Sequence, residues 1–98
     1  MKARMTKSSG NVFLDAGFSR EEAENLRIRS SLMMELERYI VREKLTQAGA
    51  ARIFGVTQPR ISDLKRGKIN LFSVDALITM LSRTGHRVDV KVKKPRAA

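Results

Sequence analysis

The stretch Thr46–Lys68, TQAGAARIFGVTQPRISDLKRGK, carries the pair Thr-Gln twice, eleven residues apart. Threonine is a good N-cap, because its hydroxyl accepts a hydrogen bond from an amide that the first helical turn leaves without a partner. Each glutamine then takes the first helical position. Pro59 would break a helix interior, but at the second position its missing N–H breaks no intrahelical bond. The proline therefore marks a helix start. Gly55 lies between the two segments and supplies the turn, and Gly67 stands where a terminating C′ glycine belongs. The pattern predicts two short helices, each of about eight residues, joined by a tight turn. Gly49, inside the first, costs about 1 kcal/mol relative to alanine.

On a helical wheel, at about 100° per residue, Ile61 and Leu64 share the face that must be core. The opposite face carries Pro59, Ser62, Asp63 and Arg66, with Gln58, Arg60 and Lys65 on the flanks. Short or hydrogen-bonding side chains let a backbone approach base edges, and cations on the rim grip phosphate. The N-terminus of the first short helix, Thr46-Gln47, offers free amides suited to a phosphate. A charged outer face alone is usually just a solvated face. The spacing, the paired caps and the bulk charge together point to DNA.

That charge is +10 on 98 residues, with a pI near 10.9. An excess of this size favours a polyanionic partner, nucleic acid before anionic membrane. It is unevenly placed. Thr46–Lys68 holds Arg52, Arg60, Lys65, Arg66 and Lys68 against Asp63, and Arg87–Ala98 holds Arg87, Lys91, Lys93, Lys94 and Arg96 against Asp89. Gly10–Glu43 has seven acids and five bases. The length suits one small domain with a modest core. There is no cysteine, hence no disulfide or thiolate–metal site, as in reducing compartments. No apolar run approaches the roughly 20 residues of a membrane span, and the N-terminus lacks a signal-peptide core. The expected location is cytoplasmic, at the nucleoid.

Outward from the opening stretch, Ser19-Arg20-Glu21-Glu22 fits a capping box. Apolar residues then recur at helical spacing through Leu26, Leu32, Leu36, Tyr39 and Ile40. One long helix, or two nearly continuous ones with a break near Arg29–Ser31, is expected. Ahead of it GNVFLDAGF reads as a strand or a docking loop. Ser73 caps a further helix from Val74 to about Arg83. HRVDVKVKK alternates Val88, Val90 and Val92 against Arg87, Asp89, Lys91 and Lys93, which predicts a strand. A lone strand is unstable. Asn11–Leu14 is the sole internal candidate to pair with it, so a two-fold partner strand is expected to make a homodimer through the three valines. The expected fold is all-α: a bundle of about five helices with a helix-turn-helix, plus a short C-terminal β-strand. The expected divisions are a disordered basic tail at 1–9, a helical domain at 10–86 with its core at about 31–85, a dimerisation strand at 87–94 and a tail at 95–98.

The pattern L-T-Q-A-x-A-A-x-x-x-G-V-T-Q-P-R-I-S-D-L-x-R-G-K resembles the helix-turn-helix of the Cro/phage-repressor (XRE) type. That resemblance implies that Gln47 contacts a phosphate and braces Gln58. It implies further that Gln58, Arg60, Ser62 and Asp63 face the bases. Thr46, Thr57, Lys65, Arg66 and Lys68 join Gln47 on the phosphates. Two departures stand out: Ala50 occupies a core position usually filled by Leu, and Lys44 stands where Gly or Asn is common, which implies a strained turn. The flanks GNVFLDAGFSREEAENLRIRSSLM and LFSVDALITMLSRTGHRVDV resemble the HigA-type antitoxins, which repress their own operon and neutralise a RelE/HigB-like ribonuclease toxin. A stand-alone regulator and a protein-interaction module remain as alternatives.

Other candidates are weak. His86 is the single histidine, and with no cysteine beside it a turn role is favoured over a metal ligand. Glu21, Glu22 and Glu24 sit where acids complement a helix dipole. Met33 and Met34 read as core and interface filler. No nucleophile–base pair or phosphate loop is present, so no catalysis, cofactor or metal is expected.

Overall fold

Capping chemistry starts each helix. The computed structural model describes residues 10–95; the expected tail at 1–9 and the last three residues lie outside them. The Asn11 side chain accepts from the Phe13 and Leu14 amides at 2.9 and 3.1 Å and opens a single turn, α1 (Val12–Asp15). This segment is thus neither strand nor plain loop. Ser19 and Glu22 exchange the reciprocal bonds of a capping box, and α2 (Arg20–Arg42) follows without a break. Leu26 and Met33 lie on one buried stripe on either side of Ser30 and Ser31. Burial on both flanks outweighs serine's weak helix preference.

Helix α2 closes with two backbone bonds, from Lys44 N to Val41 O and from Leu45 N to Ile40 O. This closure needs a left-handed residue at C′, and Lys44 adopts φ 54° there. The strain expected from a lysine at this position is present. Helices α3 (Gln47–Phe54) and α4 (Gln58–Lys65) follow, capped by Thr46 and Thr57. A 3-10 turn at Ile69–Leu71 leads to Ser73, which caps α5 (Val74–Arg83).

Leu36 of α2, Ala50 and Phe54 of α3, Ile61 and Leu64 of α4, Phe72, and Leu77 of α5 form the centre of the core, each 1% exposed or less. Every described helix except α1 contributes. Ala50, though small, is fully enclosed. Tyr39 seals one edge, with its ring 6.1 Å from Phe54 and 5.6 Å from His86. His86 is accordingly a packed turn residue. Met33 is buried and Met34 is half-exposed.

The expected C-terminal strand does not form. Among the described residues none is in a strand, and 87–95 runs irregularly after α5. A strand needs a ladder of paired amides and carbonyls. The one internal candidate, Asn11–Leu14, is taken up in α1 and its cap, so nothing among the described residues supplies the second row. Val88 packs partly on the core, while Val90 and Val92 are 80% and 89% exposed.

Candidate nucleic-acid interface

Two helix N-termini define the site, and both are held by threonine. Thr46 Oγ1 accepts from the Gly49 amide at 3.0 Å, and Thr57 Oγ1 from the Arg60 amide at 3.4 Å. The turn between α3 and α4 depends on Gly55, in the left-handed region at φ 75°. Arg83 of α5 closes over it: Nε donates to the Ile53 carbonyl at 3.2 Å, and a Cβ on Gly55 would lie 2.6 Å from that nitrogen. The far end of α4 is closed by Lys68 N to Asp63 O and Gly67 N to Leu64 O, with Gly67 at φ 71°. These two bonds set the direction in which the chain leaves α4 and hold Lys68 beside its last turn.

With Ile61 and Leu64 buried, the rest of α4 is turned outward. Gln58, Pro59, Lys65 and Arg66 are exposed, and Ser62 and Asp63 are half-buried. Gln47 and Lys68 are exposed as well. No hydrogen bond joins Gln47 to Gln58 among the described residues, so the implied brace is not made in the free chain. Asp63 faces Lys68, Oδ1 to Nζ 3.9 Å, which places one expected base-facing residue beside one expected phosphate-facing residue. At the root of the helix, burial pushes the Glu37 carboxyl of α2 above its ordinary range, and the Lys65 ammonium pulls it partly back.

Arg60 departs from the rest. It is half-buried, its guanidinium carbon lies 4.3 Å from the centroid of the Phe72 ring, and Nη1 donates to the Leu71 carbonyl at 2.8 Å. The wheel put Arg60 on a flank and the resemblance turned it to the bases; in the free chain its guanidinium lies on Phe72 instead. Phe72, the residue that follows the 3-10 turn, was the missing signal, and only the packed loop reveals it.

The dimerisation candidates lie elsewhere. Val88, Val90 and Val92 line a groove of about 680 Å³ together with Ile28 and Leu32 of α2 and Val74 and Ile78 of α5. Among the described residues no group of three His, Cys, Asp or Glu is placed to hold a metal, and no helix is long and apolar enough to cross a membrane.

The sequence matches a family described as a helix-turn-helix domain over residues 12–93. A solved structure described as an XRE family transcriptional regulator is similar, with 35% identity and a TM-score of 0.72 over 79% of this chain and 90% of that one. No curated protein matches. A family match across most of the chain and a fold shared at this identity agree with the capped α3–turn–α4 unit: the chain belongs to the helix-turn-helix family of XRE type, a family of DNA-binding transcriptional regulators.

Proposed function

We propose that this chain is an operator-specific repressor that binds DNA as a homodimer and neutralises a RelE/HigB-like ribonuclease toxin. The observation that carries the DNA part is α4 itself. Its apolar face is fully buried, its N-terminus is capped by Thr57 and free, and its outer surface presents Gln58, Ser62 and Asp63 between cations. In this reading α4 enters the major groove and these side chains meet base edges. Thr46, Gln47, Thr57, Lys65, Arg66 and Lys68 grip the flanking phosphates. Footprinting is expected to show a pseudo-palindrome with half-sites about 34 Å apart. Protection of one unpaired half-site, or none, refutes the dimeric repressor.

The dimer contact is the tail. Its exposed valines and unpaired backbone are what a second tail would cover. Antiparallel pairing about a two-fold at Val90 sets Val88 opposite the partner's Val92 and Asp89 opposite the partner's Lys91. Removing residues 87–98 is expected to give a monomer by sedimentation and weaker operator binding; an unchanged dimer moves the interface to the helices.

The toxin part rests on the first third of the chain. Phe13 packs edge-to-face on Phe18 at 6.3 Å, and Asn11 Nδ2 donates to the Ala23 carbonyl at 3.2 Å, which clasps α1 to α2. Val12 remains 70% exposed, Phe18 44% and Leu14 37%, beside the acids Glu21, Glu22 and Glu24. An apolar tip with acidic neighbours suits a basic RNA-cleaving partner. Truncation of residues 1–18 is expected to abolish toxin neutralisation and spare operator binding. Undiminished neutralisation rules out the toxin-cover role, and failure of any neighbouring-gene product to co-purify favours a stand-alone regulator.

A further inference from the structure

Two arginines from different helices hold one short segment. From α4, Arg60 donates through Nη1 to the Leu71 carbonyl at 2.8 Å and stacks over Phe72. From α2, Arg29 donates through Nη1 to the Ile69 and Phe72 carbonyls at 3.1 and 3.4 Å, while its Nε is held by Asn25 at 2.6 Å. The Ile69 carbonyl also takes the Phe72 amide at 3.3 Å, but the last carbonyls of a helical turn have no amide ahead of them to accept from. A planar guanidinium can stack on a ring and donate in its own plane at once, which an ammonium cannot. Phe72 is itself anchored in the core at 1% exposure. Arg60 is therefore tied at one end to the first turn of α4 and at the other to the connection that carries Lys68 and Asn70.

We propose that Arg60 is a positioning residue for DNA binding and not a reader of bases. It holds the phosphate-facing connection after α4 at a set distance from the helix's base-facing N-terminus. A duplex offers its phosphates and base edges at one spacing, so both ends of the unit must stay in register to be used together. To reach a base, Arg60 would have to give up the stack and the Leu71 bond together. The inference rests on the reading of α4 as the helix that enters the groove.

The test uses the full chain, with affinity measured by fluorescence anisotropy on the footprinted operator and on a random duplex, across a series of salt concentrations. Arg60→Ala is expected to bind both DNAs roughly tenfold more weakly, from the lost stack and bond, with the salt slope unchanged. Arg60→Lys keeps the charge and is expected to lose nearly as much. Phe72→Leu keeps an apolar core and removes the ring; combined with Arg60→Ala it is expected to lose no more than the larger single change. Loss confined to the operator would make Arg60 a base reader. A salt slope lower by about one, with rescue by lysine, would make it a phosphate contact. No loss at all removes the role. Arg60→Lys leaves the core untouched, so its result decides even if Phe72→Leu melts below the assay temperature. Gln58→Ala runs alongside: if it fails to discriminate the two DNAs, the groove assignment of α4 has failed, whatever Arg60 does.

Discussion

Gly55→Ala tests how the turn of the helix-turn-helix is held. The residue sits at φ 75°, and a methyl there would stand 2.6 Å from Arg83 Nε and 2.8 Å from its Cζ. Holding alanine in the left-handed region costs about 1–2 kcal/mol. The guanidinium is the end of a flexible side chain, so it swings aside, and what is lost is its bond to the Ile53 carbonyl, about 0.5–1 kcal/mol at an exposed position. Alanine also narrows the unfolded ensemble, which returns about 0.5 kcal/mol. The net destabilisation is about 1–2.5 kcal/mol, or a fall in Tm of about 4–20 °C for a domain near this size. Urea and thermal unfolding followed by circular dichroism measure it. Arg83→Ala alone removes the bond without the strain. In the double variant the bond is absent from both sides of the comparison, so its cost is expected to fall short of the summed singles by about 0.5–1 kcal/mol. A Gly55→Ala change within about 0.5 kcal/mol of the parent, or strict additivity with Arg83→Ala, refutes the argument.

Lys44 is the opposite case: with φ 54° on a lysine, Lys44→Gly is expected to stabilise the fold by about 0.5–1 kcal/mol, and a lower Tm in the same melts contradicts it. Gln58→Ala is expected to cost about 1–3 kcal/mol on the operator and little on random DNA; equal losses in a binding titration reassign it to phosphate. Lys68→Ala is expected to weaken both DNAs alike and flatten the salt dependence by about one, and an unchanged slope removes it from the backbone contacts. For Glu37 the sign follows from a folded-state pKa raised by burial. Folding is penalised while the carboxylate is ionised, fully above the folded-state pKa, and the penalty vanishes below the unfolded value. Glu37→Gln is therefore expected to be more stable than the parent at neutral pH and to lose that advantage near about pH 3; a pH-independent difference in unfolding free energy contradicts the cause.

Much of the helical order was legible because its signals are local. Ser19 with Glu22, Thr46, Thr57 and Ser73 each cap through a side chain and an amide three residues on, a spacing that can be read without knowing the fold. Ile61 and Leu64 had to be core because a helix of eight residues has few ways to present two apolar side chains on one side. The bulk charge and the paired caps likewise pointed to DNA with no tertiary information. Asn11 escaped notice because it caps a helix of a single turn, too short to show periodicity.

The tertiary structure decided what depends on partners distant in sequence. The valine alternation of 87–94 is a genuine strand pattern, yet a ladder needs a second row of backbone groups, and once Asn11–Leu14 coils into α1 the described residues have none to offer. Ser30 and Ser31 stay helical because burial at Leu26 and Met33 acts from both sides. The direction of Arg60 was settled by Leu71 and Phe72, eleven and twelve residues onward, and the crowding over Gly55 by Arg83 from α5. A long cationic side chain on a helix flank can reach either solvent or the neighbouring loop. Only the packed position of the loop, with the Leu71 carbonyl and an anchored ring within reach, makes the second direction lower in free energy.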